Sequence, residues 1–209
     1  MTPPSRPSRF RTLGAIGALA VILFGTFLPT PASLAAAAPR RFLIGEGSQV
    51  SYHVKARILG VVDDAITGVN RKVTGEVLLA SRPSGWALAE ARDFESGQRT
   101  RDEHVAQILG APQTPAVRFV LDRLEGFDPD RPEGRISARG TLTARGRDHA
   151  LTIPLDYRLD GDQLRIQGEA PLRFSDFGIE PPVVGLVFKR APDALTIRLS
   201  LIAREAASK

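Results

Sequence analysis

Residues 164–175 alternate without a break: Leu164, Ile166, Gly168, Ala170, Leu172 and Phe174 fall on one side, Arg165, Gln167, Glu169, Pro171, Arg173 and Ser175 on the other. Successive side chains of an extended chain point to opposite faces, so such a run reads as a strand with one face in a core and one in water. The same period recurs in Val50, Tyr52, Val54, Ala56 and Ile58, and again in Leu151, Ile153, Leu155, Tyr157 and Leu159. Leu195, Ile197, Leu199, Leu201 and Ala203 define a fourth strand, and Ile136, Ala138, Gly140, Leu142 and Ala144 a fifth. Weaker runs at 72–80, 86–94 and 116–124 bring the total to about eight strands, separated by turn clusters such as Arg82 to Gly85, Asp128 to Gly134, Arg145 to Asp148 and Asp160 to Asp162. No linker divides them.

One segment departs from this rhythm. Thr100 to Gly110 carries Val105, Ile108 and Leu109 on one helical face, acids near its start, and Gly110 with Pro112 after its end. It is expected to form a short helix, with Thr100 or Asp102 capping its first turn and its apolar side covering one end of the fold.

Eight antiparallel strands, each with one apolar face, can close into a barrel or stack as two sheets. Several inward positions are small: Gly75, Ala138, Gly140, Ala144, Gly168 and Ala170, with Ala56 and Ala203. A stacked core would be left with voids beside so many small residues, whereas a barrel can use them to leave an apolar cavity. The glycines have a second reading, relief of crowding where strands coil or bulge. The expected fold is all-β, an eight-stranded antiparallel barrel with one short helix covering an end.

Positive charge is concentrated at the start of the chain. Arg6, Arg9 and Arg11 precede an uncharged apolar run, Leu13 to Leu28, and then the small residues Ala35, Ala36 and Ala37. Basic, apolar and small segments in that order read as a secretory leader, and the run is short of the ~20 residues that span a bilayer. Residues 1–37 are expected to be a signal peptide cut after Ala37, because the next cut would leave Pro39 first; residues 38–209 are then the mature domain. Arg9 and Arg11 are split by Phe10, so a twin-Arg pair is absent. Of 28 Lys and Arg against 23 Asp and Glu, removal of the leader leaves 25 against 23, a balance with no nucleic-acid footprint. The chain has no cysteine, which excludes disulfide scaffolds, thiolate metal sites and cysteine nucleophiles and suits the periplasm.

Catalytic motifs are scarce. The sequence holds no Gly-x-Ser-x-Gly elbow, no His-Glu-x-x-His, no phosphate-cradling loop and no dinucleotide fingerprint. His53, His104 and His149 lie on different elements, and a structural role is expected for each, with no metal site and no cofactor. Asp102, Glu103 and His104 could form a carboxylate and histidine acid/base pair, but capping and ion pairing account for the same residues.

The stretch Arg101-Asp102-Glu103-His104, followed by Pro115, Phe119, Gly140-Thr141-Leu142-Thr143, Gly146 and then Ser175-Asp176-Phe177-Gly178-Ile179, resembles the YceI-like family of bacterial envelope proteins over residues 42–204. The resemblance implies a lipocalin-like barrel enclosing an isoprenoid chain, a quinone tail or polyprenyl phosphate. One departure stands out: Ile108, Leu109 and Gly110 replace the aromatic pair that such proteins carry after the helix. Combined with the alternation, the resemblance places Val54, Ala56, Val77, Phe119, Ala138, Gly140, Leu142, Ile153, Leu155, Ile166, Gly168, Ala170, Ile197 and Leu199 around the ligand.

The function expected is therefore a periplasmic carrier or sequestering protein for a long isoprenoid lipid, with transient membrane contact and no catalysis. Two alternatives stay open. One is an envelope enzyme acting on a hydrophobic substrate through His104 with Asp102 or Glu103. The other is a barrel packed shut, whose outer Arg139, Arg145 and Arg165 meet an acidic protein.

Overall fold

Alternation along each segment sets which side chains turn inward, and hydrogen bonding between segments then decides whether the sheet closes. The computed structural model describes residues 38–58, 62–181, 183–184, 189–190 and 192–207; the leader expected over residues 1–37 lies outside them. Residues 36–209 form one compact unit. Its strands are β1 (Arg40–Ile44), β2 (Gln49–Ile58), β3 (Val62–Asn70), β4 (Thr74–Leu79), β5 (Ser84–Glu90), β6 (Ala116–Glu125), β7 (Glu133–Ala144), β8 (Arg147–Asp160), β9 (Gln163–Leu172) and β12 (Leu195–Glu205). A small two-stranded ribbon is made by β10 (Val183–Val184) and β11 (Lys189–Arg190), and the helix α1 spans Arg99–Ile108.

Pairing runs β1-β4-β5-β6-β7-β8-β9-β12 and returns from β12 to β1, so eight antiparallel strands close into a barrel. The strand β12 is shared on that returning side: Ala203–Glu205 pair with β1, while Thr196–Ser200 pair with β2. Hence β1 and β2 are two halves of one bent stave, and β3 and β4, paired to them in turn, are halves of a second. The sequence reading found the eight strand regions but not β1 or β3, because five residues and an acid-bearing segment show little alternation.

Each bend is held by a buried polar side chain. At the first, Gly47 takes φ +84 and Ser48 is only 1% exposed; the Ser48 hydroxyl donates to the Ile202 carbonyl at 3.1 Å and accepts from the Ile202 N–H at 2.9 Å. It thereby repairs the β12 ladder where the backbone of the stave turns away. At the second, Asn70 is 0% exposed, donates to the Glu90 carbonyl at 2.8 Å and accepts from the Lys72 N–H at 2.8 Å. Buried polar groups are tolerated when satisfied in this way.

A bulge between Leu121 and Arg123 of β6 leaves both Asp122 and Arg123 exposed and returns Leu124 to the inner face. The β7–β8 connection is a two-residue turn in which Arg145 and Gly146 both have positive φ, 52 and 69, the twist a tight hairpin needs.

Both ends of the barrel are covered. At one, the tail of α1 brings Ile108 and Leu109 against Leu142, Leu172, Phe174 and Phe177. At the other, Phe127 packs tilted against Tyr157, ring centres 5.5 Å apart, and the Tyr157 hydroxyl donates to the carbonyls of Asp128 and Arg131, each at 3.2 Å. Two local expectations are corrected. Neither Thr100 nor Asp102 caps α1: Gln98 is the N-cap, without a side-chain bond, and Asp102 reaches back to accept from the N–H and hydroxyl of Ser96. The alternation through Phe174 also outruns its strand, since β9 ends at Leu172 and Phe174–Phe177 form a 3-10 turn.

Candidate functional site

The inward residues enclose a cavity of about 150 Å³. Its wall is built strand by strand: Ile44 from β1, Val77 and Leu79 from β4, Gly85, Ala87 and Ala89 from β5, and Phe119, Leu121 and Leu124 from β6. Ile136, Ala138 and Leu142 of β7, Ile153, Leu155 and Tyr157 of β8, Leu164 and Ile166 of β9, and Ile197, Leu199 and Leu201 of β12 continue it, and Val50, Val73, Trp86, Leu88, Val117 and Phe127 complete it. No lining residue carries a charged side chain. Such a surface can hold hydrocarbon, and it offers nothing to stabilise an ion.

Nine of the residues expected around a ligand are brought together here: Val77, Phe119, Ala138, Leu142, Ile153, Leu155, Ile166, Ile197 and Leu199. Gly140, Gly168, Ala170 and Val54 are not part of the wall, and the side chain of Ala56 lies outside the described residues. The two glycines serve crowding rather than space. A Cβ on Gly140 would overlap the Phe119 ring and the Val120 carbonyl, and one on Gly168 would overlap Leu155 and the Pro154 carbonyl. Large side chains from neighbouring strands already occupy the room that each glycine leaves. Ala170, 0% exposed, is packed into the core beside Ile197, its register partner, and Val54 belongs to the cluster at the α1 end.

Sequence reasoning missed the β5 residues Gly85, Trp86, Ala87, Leu88 and Ala89. The signal was present but misleading, because β5 reads Ser-Gly-Trp-Ala-Leu-Ala-Glu and is apolar on both faces, so alternation is faint. It also missed Phe127, a loop residue that no strand period can place.

The two signature stretches do local structural work beside the cavity. Asp102 ties Ser96 to α1, and Glu103 pairs with Arg99 at 2.9 Å. The backbone pair between Val69 and Glu95, at 2.9 and 3.0 Å, joins the same loop to β3. His104 is exposed on α1. These three residues are absent from the cavity wall, so the acid/base arrangement considered above does not face it. In the second stretch, Ser175 donates through its N–H and hydroxyl to Asp193, at 2.9 and 2.6 Å, which holds the Asp193 carboxyl below its usual range. Gly178 takes φ 62 at the end of the turn, its carbonyl accepting from Arg145 at 2.9 Å, while the Arg147 guanidinium lies over it. The result is that Phe174, Phe177 and Ile179 are all turned into the barrel end.

The histidines remain apart. His53 lies on the outer face, its two ring nitrogens 2.9 Å from the Ser51 hydroxyl and 3.0 Å from that of Thr67. Burial, then the charge of Arg198, lowers its pKa, against an opposing pull from Glu169. His149 sits 3.7 Å from Asp176. Among the described residues, no group of three His, Asp or Glu side chains is placed to hold a metal ion.

A closed barrel of eight antiparallel strands around an uncharged, apolar interior places the molecule in the lipocalin-like class. The profile of the YceI-like domain matches residues 43–203, and the chain belongs to that family. The fold is similar to that of BcnA from Burkholderia cenocepacia, with 20% identity, a TM-score of 0.60, and coverage of 74% of this chain and 95% of that one. It is similar also to a polyisoprenoid binding domain from Saccharophagus degradans, with 10% identity, a TM-score of 0.65, and coverage of 79% and 98%. The Campylobacter jejuni YceI protein gives 16% identity, a TM-score of 0.58, and coverage of 73% and 92%. A comparison with curated proteins finds no match.

Proposed function

We propose that this protein is an exported, periplasmic carrier or sequestering protein that holds a long isoprenoid lipid, of the quinone or polyprenyl phosphate type, in its barrel. The observation that carries this reading is the cavity wall without a charged side chain. Membership of the YceI-like family supports it, as does the likeness to a Saccharophagus degradans domain described as polyisoprenoid binding. The cavity argues against the packed interaction module, whose interior would be filled.

Size bears on how the ligand is held. A cavity of about 150 Å³ matches one that admits a benzene ring, so a longer tail enters only as lining side chains move aside. At ~0.8 kcal/mol per buried CH2, a tail of about 40 carbons has a gross burial term near 30 kcal/mol, above the ~18–21 kcal/mol ceiling of non-covalent binding. The net value is far smaller, because the tail is ordered on binding and is already out of water in a bilayer. The protein's task is accordingly transfer between apolar environments, with transient membrane contact, rather than capture from water. Lipid extracted from protein purified out of its native envelope and identified by mass spectrometry tests the reading. A stoichiometric prenyl lipid is expected, and an empty protein or an unrelated lipid overturns it.

A further inference from the structure

The chain has two tyrosines, and both turn into the barrel, one toward each end. Tyr157 lines the cavity at the Phe127 end, and its hydroxyl donates to two backbone carbonyls. Tyr52 belongs to the opposite end. Along the inner face of β2, Val50 lines the cavity and Val54 is buried in the cluster that α1 covers, so Tyr52 stands between cavity and helix. Its register partner on β12, Ile197, is also part of the wall. The Tyr52 ring leans over Gly68 of β3, where a Cβ would overlap it, and meets the Phe94 ring with centres 5.7 Å apart. Its hydroxyl is buried and has no hydrogen-bond partner, the one such side-chain atom among the described residues.

A buried polar group without a partner is uncommon, and a missing ligand or water is the usual reason. Phenylalanine would keep every ring contact and leave nothing unpaired, so packing gives this hydroxyl no task. The acid nearby is already engaged: Asp102 accepts from the N–H and hydroxyl of Ser96, two residues beyond Phe94. Burial, then the charge of Asp102, raises the Tyr52 pKa against an opposing pull from Arg101, so the hydroxyl keeps its proton and remains a donor. Arg101 itself, half-buried on the first turn of α1, has no hydrogen bond or ion pair among the described residues. Two donors without acceptors therefore share this corner. What both lack is an oxygen, and the cavity wall beside them is hydrocarbon.

We propose that the Tyr52 hydroxyl and the Arg101 guanidinium bind an oxygen of the prenyl ligand's polar head, so that the head lies at the α1 end and the tail runs toward Tyr157. This rests on the carrier reading above and gives the ligand a direction. A quinone carbonyl and a prenyl phosphate both present such an oxygen. Tyr52 serves either one, whereas Arg101 serves the phosphate more, because a hydrogen bond between ions is the stronger. The hydroxyl is covered in the ligand-free protein, so the head enters by the same displacement of side chains that the tail requires.

Tyr52→Phe removes one oxygen and keeps the ring. Three probes with the same tail separate head from tail: farnesyl phosphate, a quinone bearing a farnesyl chain, and farnesene, which has no head. Titrated into the mature protein, the Tyr52→Phe variant should bind the phosphate about tenfold and the quinone about fivefold more weakly than the wild type, and farnesene equally well. Arg101→Gln should weaken the phosphate about tenfold and the quinone less than about twofold. The Tm of ligand-free Tyr52→Phe should equal or exceed that of the wild type, since no bond is lost. A lower Tm means that the hydroxyl already holds a trapped water and overturns the proposal, as does an equal loss for all three probes. Preference for the phosphate with sensitivity to both variants names a prenyl phosphate, and preference for the quinone with sensitivity to Tyr52→Phe alone names a quinone; either supports the proposal. Farnesene binding with no effect of Tyr52→Phe on any head overturns it and leaves the carrier reading standing. Failure of the wild type to bind any of the three removes that reading and the placement of the head with it.

Discussion

At Gly140 the inner face of β7 presents no side chain, and the ring of Phe119 fills the place. Two residues away Ala138 lines the cavity itself, whereas Ala170 on β9 is enclosed by its neighbours. Equal chemistry at the two alanines therefore predicts unequal responses to the same change. Ala170→Phe overpacks a filled core and should cost ~1–3 kcal/mol. Ala138→Phe should occupy cavity space, leave the Tm of ligand-free protein near the wild-type value and weaken prenyl uptake. Thermal unfolding of both variants, with titration of a fluorescent prenyl analogue, separates them, and equal destabilisation would show that no usable space lies beside Ala138. His53 supports a second expectation. Burial and Arg198 lower its folded pKa, so the folded state binds fewer protons than the unfolded chain as pH falls below the ordinary value of ~6.5. Stability is complete above that pH and declines through the interval down to the lowered pKa. The carboxyls of Glu76, held by Arg41, of Glu205, held by Arg40, and of Asp193, held by Ser175, extend the decline at lower pH, since their lowered pKa values stabilise only the ionised forms. The Tm should fall from pH 7 to pH 5, and His53→Gln should flatten that step without touching the loss below about pH 4. A Tm independent of pH from 7 to 5 in the wild type would contradict the account.

At the scale of elements, the two bent staves decide how the barrel meets α1. Their halves β2 and β3 pair with each other, and beyond that pair the single bridge between Val69 and Glu95 leads into the loop that Asp102 ties to the helix. The bend at Asn70 orients this whole corner. Asn70→Ala removes partners from the Glu90 carbonyl and the Lys72 N–H in a site with no exposure, and should cost ~1–3 kcal/mol. Urea unfolding monitored by circular dichroism checks the value, and a neutral effect would mean that water replaces the side chain. Little of this was legible beforehand. Asn70 shows no period, and its role depends on a carbonyl 20 residues away; Ser48 depends on one 154 residues away.

For the molecule as a whole, a tail-binding barrel should be stabilised by whatever it holds. A prenyl ligand at about 100 times its Kd should add ~2.7 kcal/mol of stability, a rise in Tm that a differential scan detects and a ligand-free interaction module would not show. The proposed export makes a separate prediction: intact mass of protein recovered from the periplasm should place the first residue at or near Ala38. Full-length chain retained in the inner membrane would replace the soluble carrier with a tethered one.

Sequence alone determined what is local and periodic. The inward set of β7, β8, β9 and β12 follows from period two, the α1 segment from its helical spacing and stop residues, and the family from two short signatures. Tertiary structure decided what each inward residue faces. A strand's own sequence states which side is buried, but the space beside a glycine belongs to a neighbouring strand, and register brings Leu155 opposite Gly168 and sets Phe119 across from Gly140. The cavity wall at β5 escaped notice for the same reason. Its two apolar faces carry no period, and only closure of the sheet makes one of them the inside of a barrel and leaves the other outside.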